Sequence, residues 1–256
     1  MKKLILISLG ISLFACNQST EKKAAEAPKN VDVLAYNLKG KVQRLDETMT
    51  TFDSTGTAKS DSIVSVTVFD TTGYQTETYS TNPAGKKVSE QILKRNADGS
   101  VAEFTSMKDG KQSSRMVTEM KDGKYTGGKN YDSTDKEDFY YTDLVMTEYG
   151  QVTEGKQHFP DGRVRATFTS KYNGPLYIGG SSTDSTGKTD YTGTVTLDDK
   201  GNPIADNTTT LAKGVSKTEA NTYKYELDEK GNWTMRTTIN DKGKTTSITK
   251  RKITYF

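Results

Sequence analysis

The chain has 256 residues, with 36 Lys and Arg against 33 Asp and Glu, one His, one Cys and one Trp. One Cys excludes an intrachain disulfide, and one Cys with one His cannot build a Cys/His zinc centre. Leu, Ile, Val and Phe together number only 45, whereas Thr reaches 39, Tyr 14 and Gly 22. Thr and Tyr favour strands and Gly favours turns. This balance argues against a helical bundle, an α/β enzyme with apolar parallel strands and a polytopic membrane protein. The formal charge of +3 is too small for a chain kept disordered by self-repulsion.

In chain order, Met1-Lys2-Lys3 is a short basic start and Leu4–Phe14 an uncharged, mostly apolar run of eleven residues. That run is too short to span about 30 Å of hydrocarbon. The order basic, apolar, Leu13-Phe14-Ala15-Cys16 is that of a secretory signal peptide. Its last four residues resemble the bacterial lipobox. The resemblance implies lipidation at Cys16 and, with Asn17 as the second residue after cleavage, a lipid-anchored place at the outer membrane, on either of its faces. Gln18–Asn30 is polar and rich in Ala, Lys and Glu, as a tether would be. The expected organisation is therefore a signal peptide at 1–15, a lipidated Cys with a flexible tether at 16–30, and a β-domain at 31–256.

From Val31 onward one pattern recurs: a β-type stretch, then an Asp- or Asn-containing turn that closes on Gly. Examples are Phe52-Asp53-Ser54-Thr55-Gly56, Phe69-Asp70-Thr71-Thr72-Gly73, Asp198-Asp199-Lys200-Gly201 and Asp228-Glu229-Lys230-Gly231. The acidic or amide side chain caps the turn and Gly takes the positive φ that a Cβ opposes. Most successive glycines lie 11 to 17 residues apart, which leaves one strand per gap. Tight turns make neighbouring strands antiparallel. The expected fold is all-β: a long, twisted antiparallel meander of about fourteen strands, thin-cored, solvated on both faces, curled or spiral. Alternation places Val64, Val66 and Val68 on one face, Val164, Ala166, Phe168 and Tyr172 on one face, and Trp233, Met235 and Ile239 on one face.

The segment Tyr223-Lys224-Tyr225-Glu226-Leu227-Asp228-Glu229-Lys230-Gly231-Asn232-Trp233 resembles the YD/RHS-type repeat of bacterial envelope proteins, in which an aromatic precedes Asp-x-x-Gly-Asn. Phe52-Asp53, Phe69-Asp70 and Tyr131-Asp132 repeat the aromatic–Asp element. Leu227 departs from the pattern, and the repeat spacing drifts. The resemblance implies a repeat-built envelope protein, not toxin delivery.

Motifs that imitate chemistry fall on turns. Ser182-x-x-x-x-Gly187-Lys188-Thr189 nearly matches a phosphate-binding loop, but the same near-match recurs at Thr238-x-x-x-x-Gly243-Lys244-Thr245, as a repeated turn would. Ser185-x-x-Lys188 lies in the first of these turns. His158 and Asp161 form the single His–carboxylate pairing in sequence. One stretch breaks the rhythm: between Gly123 and Gly150 no single turn glycine intervenes, and Asp132, Asp135, Glu137 and Asp138 precede Phe139, Tyr140 and Tyr141. Acids beside aromatic rings suit Ca²⁺ or a sugar, so these seven residues are the candidate ligand site. The competing reading is a turn in which Asp135 replaces Gly.

The sequence thus points to a non-catalytic, lipid-anchored β-repeat protein of the envelope, serving structure or recognition of a protein or glycan. It binds its membrane through the anchor, with no cofactor, no metal and no nucleic acid. The alternative is a glycan-acting hydrolase with paired carboxylates.

Overall fold

The computed structural model describes residues 32–59, 63–97, 99–121, 124–212 and 214–256. Cys16, the signal segment and the tether lie outside them. A four-residue helix, α1 (Asp32–Ala35), is followed by sixteen strands. These are β1 (Val42–Thr51), β2 (Ile63–Phe69), β3 (Gln75–Thr81), β4 (Lys87–Arg95), β5 (Val101–Lys108), β6 (Lys111–Lys121), β7 (Lys124–Asp132) and β8 (Glu137–Met146), then β9 (Val152–His158), β10 (Val164–Asn173), β11 (Leu176–Asp184), β12 (Thr189–Leu197), β13 (Pro203–Ala212), β14 (Val215–Leu227), β15 (Trp233–Asn240) and β16 (Thr245–Tyr255).

Each strand pairs antiparallel with the next, and β1 pairs antiparallel with β16, so the sheet closes into a barrel. Nine residue pairs, from Val42↔Tyr255 to Thr51↔Ser247, seal the seam. The all-β antiparallel expectation holds. The sheet is curled, as expected, and closes into a barrel, with sixteen strands where about fourteen were expected. Closure removes the two unpaired sheet edges, which would otherwise template association with other chains.

The turns follow the chemistry read from sequence. In eleven of them the chain repeats one pair of bonds, as where Asp228 N–H donates to Asn232 O at 2.8 Å and Gly231 N–H to Asp228 O at 3.0 Å. The Asp228 carboxylate also accepts from Lys230 N–H and Asn232 N–H. Gly187 and Gly243, the centres of the two phosphate-loop imitations, sit in such turns with φ of 80° and 71°.

Just past most turns the register slips by one residue, as between Glu226 and Leu227 on β14 or Val164 and Ala166 on β10. This bulge changes which faces side chains share. Directly opposed residues of paired strands lie on one face, and Leu45, Thr67 and Ile253, opposed across β2, β1 and β16, face the inside of the barrel, against the N-terminal segment. Followed around the sheet, the same face holds Phe104, Met116, Tyr141, Phe168, Asp206, Tyr223, Tyr225, Arg236 and Arg251. Val64, Val66 and Val68 share the outer face. Val164 is opposed to outward His158, while Ala166 and Phe168 point in. Met235 and Ile239 point out, while Trp233 packs inside against Tyr225. The bulge parts residues that simple alternation had grouped.

Residues 32–41 lie across one mouth as a plug. Val33 N–H donates to Gly73 O, Asn37 Nδ2 to Lys200 O and Asn202 Oδ1, and Lys39 N–H to Asn232 Oδ1, so this segment links the turns after β2, β12 and β14. Leu38, Val42, Leu45 and Phe69 form the main buried core there, with Val33, Tyr36, Ile253 and Tyr255 packed on it. A second cluster, Val101 and Tyr125 with Leu93, Phe104, Met120, Met146 and Val152, lies toward the same end. At the opposite mouth the inner wall is wet, with Met49 42% exposed. Sixteen strands are enough to leave an aqueous interior.

The two ends differ in sequence as well. At the plugged end the residue after the turn Gly is uncharged and buried in four turns: Ser100, Gln151, Asn202 and Asn232. At the open end the residue in that place is exposed and basic in Lys86, Lys111, Arg163, Lys188 and Lys244. Lys136, after Asp135, continues the series.

The plug carries a pH-sensitive group. Asp32 accepts from Gln75 N–H and pairs with Arg95, both at 2.5 Å. Burial nevertheless outweighs the Arg95 charge and pushes its pKa up to about 6. A carboxyl that binds its proton more tightly in the folded chain adds stability below its unfolded pKa, and that contribution is lost as pH rises through about 6. The unfolding free energy of wild type relative to Asp32→Asn should therefore fall by about 2–3 kcal/mol between pH 4 and pH 7, at 1.36 kcal/mol per pKa unit. Urea titrations of both proteins check this; a difference that rises with pH would contradict it.

Candidate functional site

The inner wall of β13 to β16 gathers a cluster of aromatic and charged side chains. The Trp233 and Tyr225 rings pack 5.8 Å apart. The Arg251 guanidinium lies 3.4 Å from the Trp233 ring centre, and the Arg236 guanidinium 5.2 Å from the centres of both Trp233 and Tyr223. Arg251 Nε donates to Glu47 Oε1 across the seam at 2.8 Å. Asp206 accepts from Asn221 Nδ2 at 2.9 Å and from the Tyr223 hydroxyl. Burial, then the Asp206 carboxylate, raises the Tyr223 pKa. Burial pulls Arg251 down, against the opposing pull of Glu47. Sequence reading missed this group because it comes from four strands and the β1 seam, and because the bulge after Asn232 hides that Trp233 and Arg236 share a face.

The predicted ligand residues lie at the β7–β8 turn, at the open end. Asp132 accepts from Thr134 N–H, Thr134 Oγ1 and Lys136 N–H, as the other turn acids do. Asp135 stands at φ 60° in the place of the turn Gly and pairs with Arg115 at 3.1 Å. Glu137 pairs with Lys129 at 3.3 Å, and Asp138 faces Arg165 at 3.9 Å. Phe139 and Tyr141 point inward and pack edge to face. Tyr140 points outward and stacks on His158 at 4.9 Å. Asp132 thus caps its own turn, the other three acids turn to separate cations of neighbouring strands, and the three rings divide between the two faces. Among the described residues no three His, Cys, Asp or Glu side chains converge as a metal site.

His158 and Asp161 are engaged separately. His158 Nε2 lies 2.9 Å from Thr142 Oγ1 and Nδ1 3.2 Å from Gly162 O, while Asp161 pairs with Arg163. Of the inward carboxylates, Glu47 is held by Arg251, Asp206 by Asn221 and Tyr223, and Glu219, opposite Thr208, by Lys217, so they form no free pair for glycoside hydrolysis.

No family model matches the chain, and no curated protein matches it in sequence. Solved structures do. A porin-like protein from Bacteroides uniformis ATCC 8492 superposes with a TM-score of 0.56 at 11% identity, covering 83% of this chain and 96% of its own. A porin-like protein from Bacteroides vulgatus ATCC 8482 gives a TM-score of 0.35 at 11% identity, covering 82% and 97%. The first of these establishes a shared barrel fold. This closed, porin-like barrel replaces the YD/RHS-type repeat, and the lipid-anchored repeat protein and the hydrolase inferred from sequence fall with it. The lipoprotein character, the membrane contact through an acylated Cys16 and the anchor-based outer-membrane location are corrected on the same ground. The chain is a closed antiparallel β-barrel protein.

Proposed function

We propose that the barrel is a water-filled receptacle for polar solutes, sealed at one mouth by residues 32–41 and entered through the other. The plug across a closed sixteen-strand barrel is the observation that carries this reading. The inner wall supports it: hydroxyl, amide and small residues such as Thr78, Gln91, Ser106, Ser114 and Thr208 leave room and hydrogen-bonding groups along the lumen.

The outer wall bears on where such a receptacle works. Arg115, Lys129, Lys224 and Lys250 lie on it near mid-strand, with Asp46 and Glu90 among them. A Lys or Arg facing lipid at the bilayer midplane costs about 2–4 kcal/mol, so these four together oppose lipid exposure by on the order of 10 kcal/mol. The charged wall supports a barrel that stands in water.

Thr208→Cys, in a Cys16→Ser background, tests the reading. Thr208 lies on the inner face of β13 and Asn207 beside it on the outer face. A small maleimide should label both Cys variants, while a maleimide on a long polyethylene glycol chain should label only Asn207→Cys. Equal labelling of Thr208→Cys by both reagents would mean an open inner face and refute the receptacle.

A further inference from the structure

We propose that Arg236 is the docking point for an oxyanion, a carboxylate or phosphate group carried by the solute that enters the lumen; this rests on the receptacle reading. Six of the seven arginines have a carboxylate within 4 Å: Arg44 with Asp46, Arg95 with Asp32, Arg115 with Glu103 and Asp135, Arg163 with Asp161, Arg165 with Asp138 and Arg251 with Glu47. Among the described residues Arg236 alone has none. Its guanidinium is held instead over two aromatic faces, Tyr223 and Trp233, and its Nε is buried without a hydrogen-bond partner. Thr249, its register partner on β16, is 5% exposed, and its hydroxyl also has no partner.

A guanidinium presents five N–H donors in a rigid fork and accepts nothing. The Tyr225 hydroxyl faces the guanidinium, yet Nε stays buried without an acceptor, which is costly, and the carboxylates nearby are already engaged. Asp206 accepts from Asn221 and Tyr223, and Glu47 is held by Arg251. A planar or tetrahedral oxyanion arriving from the lumen supplies the missing oxygens, and the fork geometry favours two parallel bonds. The half-buried Tyr225 ring beside it adds an apolar surface for the body of the solute, as a sugar ring or an aromatic acid would use. The chemistry therefore favours an acidic sugar, a sugar phosphate or a comparable ring-bearing anion over a neutral solute.

The site contains its own reporter, because Trp233 is the single tryptophan of the chain. Its emission should change saturably on titration of the full chain with glucuronate or with inorganic phosphate, and not with glucose or matched chloride. Response to glucuronate alone assigns a carboxylate site, and response to phosphate alone a phosphate site. Arg236→Gln should abolish the response. Arg236→Lys, which keeps the charge without the fork, should retain it with affinity weakened roughly tenfold. Thermal melts of both variants verify the fold, and the lysine variant keeps the test decisive if the glutamine variant unfolds. No saturable change with either anion at tens of millimolar, or an equal response in Arg236→Gln, would overturn the proposal. Size-selective labelling of Thr208→Cys in the same protein would then show whether the receptacle itself survives.

Discussion

Gly201→Val is expected to lower the unfolding free energy by about 2–6 kcal/mol, against about 1–3 kcal/mol for Gly243→Val. Both glycines close the same type of turn, Gly201 at φ 83° and Gly243 at φ 71°. A β-branched residue at such a backbone costs about 1–3 kcal/mol wherever it is placed. The difference is in what surrounds them. A Cβ on Gly201 would stand 2.7 Å from Leu176 Cδ1 and 3.3 Å from the Asn37 side chain, whereas a Cβ on Gly243 meets nothing within 4 Å. Overpacking at the first site adds about 1–3 kcal/mol and pushes on the plug residue that bridges to β12. Urea unfolding of the two variants measures the contrast. Equal losses would mean that the plug does not rest on the Gly201 turn.

Asn232→Ala should release the plug, at about 2–4 kcal/mol. Asn232 is 2% exposed. Its Oδ1 accepts from Lys39 N–H at 2.7 Å, and its Nδ2 donates to Lys39 O at 3.0 Å and to the Tyr255 hydroxyl at 2.7 Å. One amide side chain thus satisfies both backbone groups of a plug residue and joins them to the last strand. Alanine leaves those groups buried and unpaired, at about 1–3 kcal/mol each where water cannot reach them. Limited proteolysis near Lys39 and Lys41 should accelerate strongly in the variant while the strands resist. Unchanged cleavage would show that the plug is held elsewhere, through the Asp32–Arg95 pair or the Leu38 core.

The local half of this fold was legible in the sequence because its determinants are local. An Asp or Asn three residues before Gly specifies the turn through bonds within five residues, and Phe52-Asp53, Asp198–Gly201 and Asp228–Gly231 behave as read. Strand spacing then follows by subtraction. Closure was not legible. It depends on β1 meeting β16, residues some two hundred positions apart, and nothing in Val42–Thr51 or Thr245–Tyr255 distinguishes a seam from two free edges. The aromatic–Asp–Gly pattern that suggested a YD/RHS-type repeat is the chemistry of a tight hairpin, which a closed barrel uses as readily as an open array.

The candidate site was hidden by a subtler effect. A bulge just after most turns adds one residue to one strand, so alternation counted across the turn assigns the wrong face. Trp233 and Arg236 count as opposite by parity and meet inside the barrel, while Met235, grouped with Trp233 by parity, points out. The segment Asp132–Tyr141 drew notice because it lacks the turn Gly. Asp135 supplies the left-handed residue itself, as Asn and Asp can at a modest steric cost, and pairs with Arg115, while its neighbours Glu137 and Asp138 face Lys129 and Arg165.

Chemical linkage of the seam tests closure most directly. Thr48 and Lys250 are register partners on the outer face of β1 and β16. In a Cys16→Ser background, Thr48→Cys with Lys250→Cys should form an intramolecular disulfide under mild oxidation, seen as a faster-migrating, reducible band. The efficiency should match that of the hairpin partners Lys224→Cys and Thr237→Cys on β14 and β15. In an open sheet of sixteen strands the first and last would stand about 70 Å apart at about 4.8 Å per strand. Linkage of the hairpin control without linkage of the seam, or with seam linkage solely between molecules, would contradict the closed barrel.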